Sequence, residues 1–210
     1  MNSLMILGAT GLVGGHALAQ ATADPRVGRI VAPTRRPLDP PRPGVENPPL
    51  DVAALEPGAP WWSVDAVICA LGSTRREAGS AEAFRALDHG AVVEALGIAR
   101  RHGCRVAAVV SSVGADADAR ALYLRTKGQM ELDAARLGFE SLTLLRPALL
   151  EGDRPRTRPL ERAAGVAMRT LAPLVPRRYR AVRAERVAHA LLASVIAARP
   201  GVHIVESELL

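Results

Sequence analysis

At 210 residues, 49% hydrophobic and 23% charged, the chain has the size of one soluble domain that buries a core without disulfides or metals. No apolar run approaches the roughly 18 residues a membrane span needs, the two cysteines, Cys69 and Cys104, form no C-x-x-C pair, and the five histidines lack metal-ligand spacing, which argues against a membrane protein, a disulfide framework and a metal site. The net charge of +6 lies in one segment: residues 151–183 hold nine arginines against three acids, while the rest of the chain balances 18 basic against 18 acidic groups.

The apolar run at 4–7 reads as a first strand. It passes without a basic leader into "GATGLVGG", so the N-terminus reads as part of the fold and the protein is expected in the cytoplasm. Gly8, Gly11 and Gly14 stand three apart between this strand and a helix predicted over 12–22. Glycine there allows a tight turn, close backbone approach to a pyrophosphate and close packing of helix on strand, and the N–H groups at the helix start face the phosphate charge. Gly8, Ala9, Thr10, Gly11, Leu12, Val13 and Gly14 are therefore the expected phosphate-binding residues, with Thr10 where the commonest fingerprint has its second glycine. A second strand at 29–33 runs into Thr34, Arg35 and Arg36, about 20 residues after the last glycine, where a ribose-reading residue belongs. Two guanidinium groups in place of an acid suit a 2′-phosphate, so NADP(H) is the expected cofactor, with NAD(H) as the lesser choice.

Proline is too frequent at 37–49 for a helix, and this stretch is predicted as an extended surface loop, with a short strand ending near Leu50. Asp51 and Val52 follow it and join the expected cofactor contacts. A fourth strand at 64–71 leads into "CALGSTRREAGS", where Ala70, Leu71 and Gly72 let backbone pass close to a cofactor and Thr74 offers a hydroxyl. A helix is predicted over 81–101 and a fifth strand over 105–112, ending at Ser111 and Ser112. Next come a helix over 119–137, a strand at 141–147 ending at Pro147, helices at 160–171 and 183–198, and a last strand at 202–206. Short apolar runs alternating with helical patterns imply right-handed crossovers and a parallel, doubly wound α/β sheet in a single domain.

The stretch "YLRTK" carries the only lysine of the chain, Lys127, four residues after Tyr123. Positions i and i+4 share a helix face, so phenol and ammonium point into one cleft, with serines from a strand end facing it. A tyrosine, with a reference pKa of about 10, is a poor acid or base at neutral pH. A unit charge about 4 Å away, at an effective dielectric near 20, is worth about 4 kcal/mol, which is the size of correction that acid–base work requires.

With "GATGLVGG", "TRR", "CALGSTRREAGSAEAFRALDHG", "VVSSVGADADARALYLRTKGQME", "LRPALLEGDR" and "VESELL" on the page, the chain resembles the short-chain dehydrogenase/reductase superfamily, in its atypical branch of small, epimerase-like proteins. The resemblance implies a Rossmann-like fold with a cofactor-binding core at 1–147 and a small C-terminal substrate region at 148–210. It implies Tyr123 as acid/base, Lys127 as the residue that orients the nicotinamide ribose, Ser112 as the group that polarises the substrate oxygen, and Pro147 as the turn beside the nicotinamide. The expected function is NADP(H)-dependent oxidation or reduction of a small carbonyl or alcohol. The alternative is an NADPH-sensing binding protein without turnover. The arginines of 151–183 read most simply as solvated surface, and functionally as a contact for an anionic small-molecule substrate or a partner subunit such as a second copy. Nucleic acid is not expected, because no interleaved aromatics accompany the charge.

Overall fold

Strands form here where runs are apolar at both parities, since a strand covered on both faces has no polar side to show. The computed structural model describes residues 1–73, 78–152 and 176–210. Its elements are β1 (Ser3–Leu7), α1 (Leu12–Ala23), β2 (Arg29–Val31), β3 (Val45–Glu46), β4 (Ala66–Cys69), α2 (Ala81–Arg85), a π-helical turn (Ala86–Ala91), α3 (Val92–Arg101), β5 (Val106–Val110), α4 (Leu122–Arg136), β6 (Ser141–Arg146), β7 (Leu150–Glu151), β8 (Val182–Arg183), α5 (Ala184–Ala197) and β9 (Gly201–Glu206). Seven strands form one sheet in the order β3-β2-β1-β4-β5-β6-β9, parallel throughout, and β7 and β8 form a separate parallel pair. This is the Rossmann-like, doubly wound α/β fold that the alternation predicts.

The two faces of the sheet follow the period-two pleat. Leu4, Ile6, Ile68, Ala108 and Leu145 pack with Ala17 and Leu18 of α1 and Val187 and Leu191 of α5. Met5, Leu7, Val67, Cys69 and Leu144 pack on the other side with Leu96 and Ile98 of α3 and Met130 and Ala134 of α4. Both cysteines lie in this second core, as free thiols that burial pushes up, Cys69 to about 11 and Cys104 to about 12.

Three expectations are revised. The proline-rich stretch is not loop throughout: β3 pairs Val45 with Ile30 and Glu46 with Val31, and Thr34 bridges Pro49 beyond it. Prolines are tolerated there because β3 is an edge strand. The predicted helix at 81–101 is interrupted by the π-helical turn. Asp88 lies in that turn and is fully buried. The fifth strand ends at Val110, although Ser111 and Val113 still donate backbone N–H groups to Leu145 and Pro147. Thr74, the helix predicted at 160–171 and five of the nine late arginines lie outside the described residues.

Candidate functional site

A parallel sheet delivers the carboxyl ends of its strands to one edge, and the expected site residues that are described collect there. After β1 the chain turns through Gly8, whose φ of 84° favours glycine. A side chain on Gly8 would meet the carbonyl of Ala70 at 2.6 Å, and one on Gly14 would lie 2.1 Å from the carbonyl of Gly8. Turn, helix start and the end of β4 are thus in backbone contact. Gly11 caps α1 without a side-chain acceptor, and the first turn holds no acid. The helix therefore begins with N–H groups and a positive dipole end turned to the strand ends, with Thr10 exposed beside them.

At the end of β2, Arg35 and Arg36 are exposed and Thr34 is buried. The Thr34 hydroxyl donates to the carbonyl of Arg36 (2.6 Å) and accepts from Asn47 Nδ2 (2.7 Å). Asn47 also donates to the carbonyl of Ala32 (2.5 Å) and accepts from the N–H of Leu38 (2.8 Å). Thr34 and Asn47 therefore hold the arginine turn in shape, and the hydroxyl of Thr34 is committed to that work. Asp51 is exposed and accepts from the N–H of Ala53 at 2.9 Å, while Val52 packs against the second core.

Tyr123 and Lys127 lie one helical turn apart on α4, with different surroundings. The Tyr123 ring is 39% exposed and stacks on buried Phe84 of α2, centroids 5.6 Å apart. Lys127 is 4% exposed, and its Nζ lies 2.8 Å from Oδ1 of Asp88, which is 0% exposed. The other oxygen of Asp88 accepts from the backbone N–H (2.8 Å) and hydroxyl (2.9 Å) of Ser73, just past β4. Gly72 packs on the pair, so that a side chain there would come within 3.1 Å of Asp88 Oδ1 and 3.4 Å of Lys127 Nζ. Gly128 has the backbone of Asp116 and Ala117 against it, 2.2 Å from where a Cβ would stand. The loop before α4 thus presses on the helix next to the lysine.

Ser111 and Ser112 are both buried at the end of β5. Ser112 makes a long hydrogen bond to the carbonyl of Val113 (3.4 Å), whereas Ser111 Oγ and Thr126 Oγ1 are enclosed without a partner among the described residues. Pro147 is buried and its carbonyl accepts from Val113 at 3.0 Å, tying the ends of β5 and β6 together. Ala70, Leu71 and Gly72 stand at the end of β4 as expected. Behind this edge, Arg146 makes two hydrogen bonds to Glu131 of α4 (3.0 and 2.6 Å) and one to Glu206 of β9 (3.1 Å). The hydrogen bonds it donates to Glu131, more than any other contact, raise its pKa. Of the late arginines that are described, Arg178 approaches Glu206 at 3.9 Å and Arg183 pairs with Glu185 at 2.7 Å.

Sequence reasoning did not single out Asp88, Ser73, Phe84, Asn47 and Gly128. One signal was present: Phe84 and Asp88 are spaced i, i+4, as are the Tyr123 and Lys127 they contact. Chemically, the edge combines a helix start with its N–H groups uncapped by a side chain, two exposed guanidinium groups, an accessible phenol, a buried ammonium and the Ser111 hydroxyl, which has no partner among the described residues.

No protein-family model matches the chain. Among curated proteins it is similar to "Protein FMP52, mitochondrial" of Candida albicans, 36% identical over 162 residues that cover 72% of this chain and 69% of that protein. It is also similar to "Protein fmp52-1, mitochondrial" of Aspergillus terreus, 35% identical over 172 residues, 78% of this chain and 73% of the relative. Among solved structures, MoeE5 in complex with UDP-glucose and NAD superposes with a TM-score of 0.74 at 17% identity, over 97% of this chain and 75% of that one. A UDP-N-acetylglucosamine 4-epimerase from Bacillus cereus gives 0.70 at 14% identity, over 98% and 78%. At such identities these neighbours establish the fold. The expectation of a cytoplasmic protein is overturned, because the relatives are named as mitochondrial proteins. That expectation rested on the first residues reading as a strand, and β1 reports how the chain folds but not where it works.

Proposed function

The chain belongs to the FMP52 family, and on that premise we propose that it is an NADP(H)-binding oxidoreductase of the short-chain dehydrogenase/reductase type, from the atypical, epimerase-like branch. The observation that carries the reading is on α4. The only lysine of the chain is buried one turn from an accessible tyrosine, at the edge where the glycine turn also lies. A nicotinamide dinucleotide fits the residues present: the start of α1 has neither cap nor acid, and the hydroxyls of Ser111 and Thr126 are enclosed without partners among the described residues.

In this reading the turn from Gly8 to Gly14 receives the pyrophosphate and Arg35 and Arg36 receive the 2′-phosphate. Asp51, Val52, Ala70, Leu71, Gly72, Ser111 and Pro147 complete the contacts. Lys127 donates to ribose hydroxyls. When bound, the nicotinamide supplies or accepts the hydride. Tyr123 gives or takes the proton at the substrate oxygen, and Ser112 donates a hydrogen bond to the same oxygen. The test is NADPH consumption by purified protein across a panel of small aldehydes and ketones, repeated with Tyr123→Phe. The reading expects turnover that falls about a hundredfold or more in the variant. An activity indifferent to Tyr123→Phe, or no consumption with any member of the panel, overturns it. NADPH binding without consumption would favour a cofactor-gated binding protein instead.

A further inference from the structure

We propose that Asp88 is a positioning residue of this site, setting the place of the Lys127 ammonium through a carboxylate held by the loop after β4. The inference rests on the reading of Lys127 as the ribose-binding residue. A lysine side chain has four rotatable bonds, so an ammonium left to itself samples many positions. Here it is 4% exposed and faces a fully buried carboxylate oxygen at 2.8 Å. The second oxygen of that carboxylate is fixed by two hydrogen bonds from one residue, Ser73, through its backbone N–H and its hydroxyl. Ser73 follows Ala70, Leu71 and Gly72, and Gly72 packs closely on the pair, so that a side chain there would crowd both charged groups. Cofactor loop, carboxylate and ammonium therefore form one connected unit.

The π-helical turn supplies the carboxylate. In a regular continuation of α2, Asp88 would follow Phe84 on the same helix face. With the turn beginning between them, both residues are buried and each meets a different residue of α4: Phe84 stacks on Tyr123, and Asp88 pairs with Lys127. Asp88 touches neither cofactor nor substrate in this account and acts through the lysine. Its negative charge also balances the ammonium in a site where a lone buried charge would be costly.

The test compares two ligands by titration. NADPH contains the nicotinamide ribose; 2′,5′-ADP shares the adenosine half and lacks that ribose. Asp88→Asn is expected to weaken NADPH binding about tenfold or more, as loss of one partner of a buried ion pair that places the ammonium would do, while 2′,5′-ADP binding stays within about twofold of wild type. Lys127→Met is expected to show the same selectivity. Ser73→Ala, which keeps both charges and the backbone donor, is expected to show it at about threefold, and it carries the test if Asp88→Asn does not fold. Selective loss in Lys127→Met with wild-type NADPH binding in Asp88→Asn and Ser73→Ala would overturn the role of Asp88 and leave the reading of Lys127 standing. Wild-type NADPH binding in Lys127→Met would overturn that reading and the inference with it. Equal weakening of both ligands by the Asp88 and Ser73 variants would mark a merely structural carboxylate and also overturn the proposal.

Discussion

Removing either charge of the Lys127–Asp88 pair should destabilise the protein far more than removing both. The two side chains are 4% and 0% exposed and 2.8 Å apart. In Lys127→Met the carboxylate stays buried with Ser73 as its remaining donor, and in Asp88→Asn the ammonium stays buried facing an amide. Each single change leaves an uncompensated buried charge, at a cost of about 3–5 kcal/mol. For a chain of this size each kcal/mol lowers the melting temperature by about 2–4 °C, giving a fall of roughly 6–20 °C. The double variant carries no charge at this pair, so a coupling of about 2 kcal/mol or more should return most of the loss. Urea denaturation of the four proteins without cofactor measures this cycle. Single variants within about 1 kcal/mol of wild type, or a double variant equal to the sum of the singles, would refute the view that the pair is a desolvated, mutually dependent unit.

Three further outcomes follow from other parts of the fold. Arg35→Glu should weaken NADPH by about tenfold to a hundredfold and leave NADH nearly unchanged, because it replaces a guanidinium for the 2′-phosphate with a repelling carboxylate; equal effects on the two cofactors in parallel titrations would contradict this. Cys69 and Cys104, pushed up to about 11 and about 12 by burial, should resist thiol reagents at neutral pH in native protein and both react in denaturant; rapid native labelling would show that the second core is open. Glu46 is held below its ordinary value of 4.5 by the hydrogen bond from Arg29. A depressed carboxylate contributes stability above about pH 4.5 that is lost as pH falls through the lowered value, so Glu46→Gln should flatten that part of the acid unfolding profile, and an unchanged acid limb would exclude the contribution.

How far the sequence reading reached depended on whether a feature is local. The central strands were legible because residues such as Met5, Ile6, Val67 and Ile68 are apolar at consecutive positions in short runs, as strands covered on both faces are. β3 was hidden among prolines, since an edge strand of two residues needs little apolar sequence. The π-helical turn was missed because one inserted residue barely disturbs a helical pattern, and Asp88 looked like any polar residue on it. Within the site, the glycines and the lone lysine stood out by type and spacing. Asp88, Ser73 and Asn47 did not, because their importance lies in partners 39, 15 and 13 positions away along the chain, which only the folded sheet brings close. The predicted triad names the groups proposed to meet the ligand, and the tertiary contacts tell what holds those groups.

The central claim is that this edge of the sheet binds a 2′-phosphorylated nicotinamide dinucleotide. Titration of the wild-type protein with NADPH and with NADH, followed by nicotinamide fluorescence, tests it most directly. The account predicts saturable one-to-one binding with NADPH the tighter ligand by about tenfold or more. No saturable signal with either dinucleotide would contradict it.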